Sequence, residues 1–202
     1  MQLEAHNISK RYGREQWLFR EANVQVKQGE AVGLLGPSGC GKSTLCRIMS
    51  GYDKEFEGKV LLDGRPLPST GYRPIQLIFQ HPERAVNPRW KVGRIVSEGW
   101  QPDEELLAAL DIHPAWLERR PAELSGGELQ RICIARALAP QTQFFIADEM
   151  TTMLDAITQA RIWKAVLGLA EKRKMGLVIV SHDRYLVNRI CTRVIDFATY
   201  QK

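Results

Sequence analysis

Gly36-Pro37-Ser38-Gly39-Cys40-Gly41-Lys42-Ser43, continued by Thr44, is the stretch from which the rest of the chain is read. Its pattern of Gly, four variable residues and Gly-Lys-Ser is that of a phosphate-binding loop. The glycines let successive backbone N–H groups turn toward phosphate oxygens, the lysine answers the terminal phosphates, and the serine hydroxyl suits Mg²⁺. Before the loop lies the apolar run Ala31-Val32-Gly33-Leu34-Leu35, and after it Lys42 to Met49 has a helical period that stops at Gly51. Strand, glycine-rich loop and helix, in that order, place the loop at a helix N-terminus, where backbone N–H groups and the helix dipole both favour an anion.

Working outward, Phe144-Phe145-Ile146-Ala147 and Leu177-Val178-Ile179-Val180 are compact apolar runs of the kind buried on both faces. Between them Ala156 to Lys174 reads as a helix carrying Ile157, Ala160, Ile162, Trp163, Val166 and Leu169. Strands alternating with helices predict an α/β core with a parallel sheet. Asp148-Glu149 closes the first of these runs, so two carboxylates fall at the carboxyl edge of that sheet, where such folds bind ligands. Asp148 is expected to hold the metal and Glu149 to act as general base toward an attacking water.

Residues 1–30 alternate in the manner of strands, and Lys59 to Leu62 and Ile75 to Phe79 add two more, so an antiparallel region is expected beside the core. After Pro102, Asp103-Glu104-Glu105 opens an amphipathic helix with Leu106, Leu107 and Leu110 on one face, and helical character returns after Ser125. Within Leu124-Ser125-Gly126-Gly127-Glu128, Ser125 and Glu128 form a capping box, and the two glycines also leave N–H groups open to an anion.

Composition narrows the class. The chain has 202 residues, 44% hydrophobic and 25% charged, enough apolar material for a packed core and too little continuous hydrophobicity for a membrane span. Four scattered cysteines, Cys40, Cys46, Cys133 and Cys191, with no Cys-x-x-Cys pair, argue against a disulfide or zinc framework. The N-terminus lacks the apolar stretch of a signal peptide, so a cytoplasmic location is expected. A net charge of +5, spread along the chain, gives no nucleic-acid stripe, and no nucleic-acid partner is expected.

Leu-Ser-Gly-Gly-Glu between a phosphate loop and a strand ending in Asp-Glu resembles the signature of the ATP-binding cassette (ABC) ATPases, and the other landmarks of that family follow in order. Gln80 resembles its Q-loop glutamine, Asp155 its D-loop aspartate, His182 in Val180-Ser181-His182-Asp183 its switch histidine, and Tyr12 in Lys10-Arg11-Tyr12-Gly13 the aromatic that stacks on adenine. The resemblance implies a P-loop ABC cassette with a parallel core, an antiparallel β subdomain and an inserted α-helical subdomain at about 85–140. It covers nearly the whole chain, 1–202, as one ATPase domain.

It further implies that ATP and Mg²⁺ are bound by residues 36–44 with Tyr12, that Gln80 joins Ser43 and Asp148 at the metal, and that Glu149, His182 and Gln80 carry out hydrolysis. Ser125, Gly126, Gly127 and Asp155 would complete the site of a second cassette, and two transmembrane permease subunits, with an extracytoplasmic substrate-binding protein, would be the partners. The chain would then sit at the cytoplasmic face of the membrane.

The run Gln80-His81-Pro82-Glu83-Arg84-Ala85-Val86-Asn87-Pro88-Arg89 is similar to the stretch that follows the Q-loop in oligopeptide, dipeptide and nickel importer ATPases, which points to peptides or a transition metal as cargo. Met150 and Met153 depart from the family pattern around the D-loop, and the short segment after Asp196-Phe197 suggests a minimal cassette. The competing reading is a soluble ABC clamp for repair, translation or cofactor assembly.

Overall fold

The computed structural model describes residues 1–13 and 16–200. Among the described residues nine strands form two sheets. One is antiparallel, in the order β2 (Gln16–Lys27), β1 (Gln2–Tyr12), β4 (Glu57–Leu62), β5 (Arg65–Pro66). The other is parallel, in the order β6 (Ile75–Ile78), β7 (Phe144–Asp148), β8 (Gly176–Val180), β3 (Ala31–Leu35), β9 (Arg193–Asp196). The helices are α1 (Lys42–Met49), α2 (Val92–Val96), α3 (Glu104–Ala109), α4 (Gly126–Ala137), α5 (Ala156–Arg173) and α6 (Arg184–Ile190).

Strand periodicity divides the core in two. Phe144, Ile146, Val178, Val180, Val32 and Leu34 point one way, toward α1 and the inner face of the antiparallel sheet, where Leu3, Ala5, Ile8, Phe19 and Val24 are buried. Phe145, Ala147, Leu177 and Ile179 point the other way, toward Ile132, Ile134, Ile162, Trp163 and Val166 of α4 and α5. Successive residues of a strand face opposite sides, so runs such as Phe144 to Ala147 must be apolar throughout. Full burial of side chains this size is worth about 1.5–3 kcal/mol each.

Gly33 and Gly176 keep the sheet closely packed. A Cβ on Gly33 would lie 2.4 Å from Val187 Cγ1 of α6, and one on Gly176 would lie 2.5 Å from the Phe144 ring. Asp103 accepts from Leu106 N at the start of α3, and Asp155 accepts from Ile157 N and Thr158 N at the start of α5, as N-caps should.

In the segment at about 85–140, expected as an inserted helical subdomain, regular α-helix is confined to α2, α3 and α4. Between residues 82 and 123 only α2 and α3 are α-helical, with five and six residues, and the rest is 3₁₀ turns at Pro82–Ala85, Pro114–Glu118 and Pro121–Glu123 joined by loops. Pro82, Pro114 and Pro121 each sit at the start of a turn, where a missing N–H costs nothing and the fixed φ limits continuation.

Candidate functional site

The loop 36–41 leaves β3 and enters α1 through glycines with φ of +153° at Gly36, +80° at Gly39 and +103° at Gly41. A Cβ on Gly41 would lie 2.5 Å from the Phe19 ring, so the antiparallel sheet supports the loop from below and only glycine fits there. Cys40 is fully buried beneath the turn. Lys42 Nζ folds back to donate to the carbonyls of Gly36 at 2.7 Å and Pro37 at 2.9 Å.

Ser43 Oγ, in the first turn of α1, donates to Asp148 Oδ1 at 3.0 Å. Asp148 is the last residue of β7 and is 6% exposed. Burial pushes its carboxyl pKa up, with the neighbouring Glu149 charge adding to the shift, while the Ser43 bond and the Arg47 and Lys42 charges oppose it. A buried carboxylate beside a hydroxyl at a helix N-terminus fits Mg²⁺, which uses few protein oxygens and takes the others from water and phosphate.

Glu149 turns the chain away from β7 at φ +52°, a conformation unusual outside glycine, and its N–H bonds to Val180 O at 3.0 Å. Its carboxylate is held from both sides. Gln80 Nε2 donates to Oε2 at 3.0 Å, and His182 Nε2 lies 2.6 Å from Oε1. Gln80 follows β6 and His182 follows β8, so the ends of three parallel strands bring these groups together at the sheet's carboxyl edge. Gln80 makes this contact to Glu149 rather than to Ser43 or Asp148.

These residues open on one cavity of about 460 Å³, lined by Tyr12, Ser38, Gly39, Gly41, Lys42, Ser43, Thr44, Gln80, Glu149 and His182, together with Leu18 and Arg47. Tyr12 is 60% exposed at the rim, with its hydroxyl 3.3 Å from Thr44 Oγ1, so its ring face is open to stacking. Gly36 and Pro37 line a neighbouring depression shared with Ser181 and His182. Leu18 and Arg47 carry no signal in the phosphate-loop pattern; Arg47 was within reach of sequence reasoning, because it lies one helical turn after Thr44, to which it donates at 3.0 Å.

Ser125, Gly126, Gly127 and Asp155 do not line this cavity. Ser125 and Glu128 form the expected capping box, Ser125 N donating to Glu128 Oε2 at 2.6 Å and Glu128 N to Ser125 Oγ at 3.2 Å. The bond from Ser125 N is the chief reason the Glu128 carboxyl pKa is lowered. The start of α4 packs on the D-loop: a Cβ on Gly127 would lie 2.7 Å from Leu154 Cδ2, and one on Gly126 would lie 3.2 Å from Met153 Sδ. Met150 is buried in the core and Met153 is 46% exposed. Farther along α4, Gln130 donates to Phe79 O at 3.1 Å and so ties the helix to the residue before Gln80.

Sequence reasoning missed Asp111, which bonds to Arg131 of α4 and Arg161 of α5. Nothing local marks it, since its partners lie 20 and 50 positions away. Among the described residues no group of three or more His, Cys, Asp or Glu could hold a metal, and no helix is long and apolar enough to cross a membrane.

The family model for ABC transporters matches residues 19–152. The nickel import ATP-binding protein NikE of Escherichia coli K12 is 36% identical, the alignment covering 90% of this chain and 75% of NikE. NikE of Rhodospirillum rubrum is 38% identical, with 88% and 71% covered. Among solved structures, the dimeric ATP-binding cassette MJ0796 bound to ADP and Pi superposes with a TM-score of 0.83 at 27% identity, covering 96% of this chain and 93% of that one. A loop, two strand-end carboxylates and a capped glycine helix in this arrangement, matched over this much of the chain, make it a member of the ABC transporter family and an ATPase subunit.

Proposed function

We propose that the chain, working as one cassette over 1–202 with a helical subdomain at about 85–140, binds ATP in the cavity above α1 and hydrolyses it to drive a membrane importer. The observation that carries this reading is the convergence of Lys42, Ser43, Gln80, Glu149 and His182 on one cavity with Tyr12 at its rim.

Tyr12 stacks on the adenine, and Lys42 exchanges its carbonyl partners for the β- and γ-phosphates, which the N–H groups of residues 38–44 also receive. Ser43 and Asp148, with Gln80 at their edge, would hold Mg²⁺, which when bound neutralises the charge on the phosphate oxygens. Glu149 takes the proton of the attacking water, and the imidazole of His182, 2.6 Å from that carboxylate, keeps the carboxylate and the γ-phosphate in line. Both Glu149 oxygens are engaged in this structure, so Gln80 has to release Oε2 for water to reach it.

Ser125, Gly126 and Gly127 complete the nucleotide site of a second cassette, and Asp155 lies at the same interface. The dimeric state of MJ0796 supports this assignment. The remaining partners are two transmembrane permease subunits and an extracytoplasmic substrate-binding protein, with this chain on the cytoplasmic face. The likeness to NikE proteins and the Gln80 to Arg89 segment favour nickel or another transition metal as cargo, with peptides second. The cargo would pass through the permease without touching this chain.

The test is affinity isolation of Glu149→Gln from gently solubilised membranes with ATP and Mg²⁺, because binding groups remain while water activation is lost. Co-purification of two permeases, a second cassette and a metal- or peptide-binding receptor is expected. Recovery of soluble enzymes, ribosomes or DNA-associated proteins alone would overturn the importer reading.

A further inference from the structure

We propose that Asp111 is a positioning residue for hydrolysis: its carboxylate fastens the helix that opens at Gly126 to the helix that follows Asp155, and so sets the angle at which Ser125–Gly127 meets the partner's nucleotide. This inference rests on the assignment of Ser125–Gly127 given above.

Asp111 stands just past α3 at φ +56°, its N–H bonded to Ala108 O at 3.0 Å, while Ile112 N bonds to Leu107 O at 2.9 Å. This left-handed ending to the helix fixes the backbone from which the carboxylate projects. Oδ2 accepts from Arg131 Nη1 at 2.6 Å, the backbone carbonyl accepts from the same nitrogen at 2.8 Å, and Oδ1 accepts from Arg161 Nη1 at 2.6 Å. One carboxylate is thus shared between guanidinium groups on α4 and α5.

The Arg131 side chain is 11% exposed, its Cζ lies 4.7 Å from the Trp116 ring centroid, and its Nε is buried without a hydrogen-bond partner. An arginine so enclosed depends on the acceptors it has, and Asp111 supplies both of those within reach. Exposed ion pairs contribute little, but this one is desolvated on the Arg131 side and joined to a backbone acceptor.

The position of the clamp gives it leverage. Arg131 is one helical turn beyond Gly127, and Arg161 lies in the second turn of α5, beyond the Asp155 cap. The glycines touch Met153 and Leu154 at the near end, so the Asp111 clamp is a second attachment between α4 and the segment bearing the D-loop. The body of α4 is held by the Gln130 bond to Phe79 O and by Ile132 and Ile134 in the core, and the clamp adds a tie to α5 near its first turns, so its N-terminus keeps one direction. Because a misplacement on the order of 1 Å can cost a hundredfold in rate, the second attachment bears on turnover rather than on ATP binding in the chain's own cavity.

The test uses the full chain with whatever partner subunits co-purify, comparing ATP affinity by fluorescent nucleotide with turnover at saturating ATP. Asp111→Ala should keep affinity within about twofold and lower turnover about tenfold. Arg161→Ala should act in the same direction, and the double variant should be no slower than Asp111→Ala, since the two share one interaction. Asp111→Asn, which keeps an acceptor for Arg131, should recover most of the loss. If Asp111→Ala does not fold, Arg161→Ala carries the test with the same readings, its side chain being 53% exposed.

Unchanged turnover, additive losses, or affinity and turnover falling together with Tm would each overturn the proposal. Ser125→Asp separates it from the reading on which it rests: Asp keeps the cap but sets a negative charge against the partner's phosphate. If Ser125→Asp turns over normally, the signature assignment fails. If Ser125→Asp is inactive while Asp111→Ala is at full speed, only the clamp fails.

Discussion

The phosphate loop and the start of α4 are both glycine-rich openings of a helix, yet they are built differently. At α1 the N-cap is Gly41 with no side-chain cap, and the loop's lysine folds back on its own carbonyls. At α4 the cap is Ser125 with Glu128 closing a reciprocal pair. The α1 N-terminus leaves its N–H groups open to a ligand inside a lined cavity, whereas the α4 N-terminus satisfies its cap locally and presents its glycines beside an exposed Met153. The same kind of helix opening therefore serves two purposes: one forms a pocket complete in backbone terms, the other a surface that waits for something from outside. Under the proposed function that something is the nucleotide on a second cassette.

The largest effect should come from the α1 side. Lys42→Ala removes the one lysine among the described residues that line the cavity, and both ATP affinity and turnover should fall by more than about a hundredfold, as measured by nucleotide fluorescence and phosphate release. An affinity within threefold of the parent would break the comparison at its stronger side. Glu149→Gln comes next: turnover should fall by about a hundredfold with ATP affinity preserved, because only proton transfer to the base is lost. Unchanged turnover would remove Glu149 from its role.

The smallest effects concern pH, and they should have opposite signs in the two regions. Asp148 has a raised carboxyl pKa, chiefly from burial, so its ionisation opposes folding above the usual carboxylate range. In the absence of nucleotide and Mg²⁺, Asp148→Asn should raise Tm at pH 7, with the gain shrinking as pH falls toward the ordinary value of 3.8. Glu128 has a lowered pKa, so its ionised form adds stability that is present above the ordinary value of 4.5 and lost as pH falls through the lower folded value. Glu128→Gln should therefore lower Tm at pH 7, by about 1–3 °C, with the difference fading below pH 4.5. Thermal melts across pH check both, and shifts of the same sign would show that the two helix openings do not differ as described.

Much of this was legible in the sequence because the deciding signals are local. The strand-loop-helix at 31–49 and the apolar runs ending at Asp148 and Val180 depend on neighbours in the chain, and the structure has them at nearly the same boundaries. The capping box at Ser125 depends only on a three-residue spacing. What escaped is set by tertiary packing. The 3₁₀ turns of the Pro-punctuated segment after residue 82 follow no period that marks their bounds, and β9 is an edge strand of mixed polarity whose existence depends on pairing with β3. Phe19 under Gly41 and Asp111 between Arg131 and Arg161 join residues far apart in the chain, so no spacing rule reaches them.

The central claim, that the start of α4 acts on a nucleotide other than the one in the chain's own cavity, is tested most directly by Ser125→Asp, reading ATP affinity of the separate chain and turnover of the assembled protein together. The expected result is affinity within about twofold of the parent and loss of about a hundredfold in turnover at each site the altered signature serves. Affinity falling in step with turnover would place Ser125 in the chain's own cavity and contradict the claim, as would turnover that does not change.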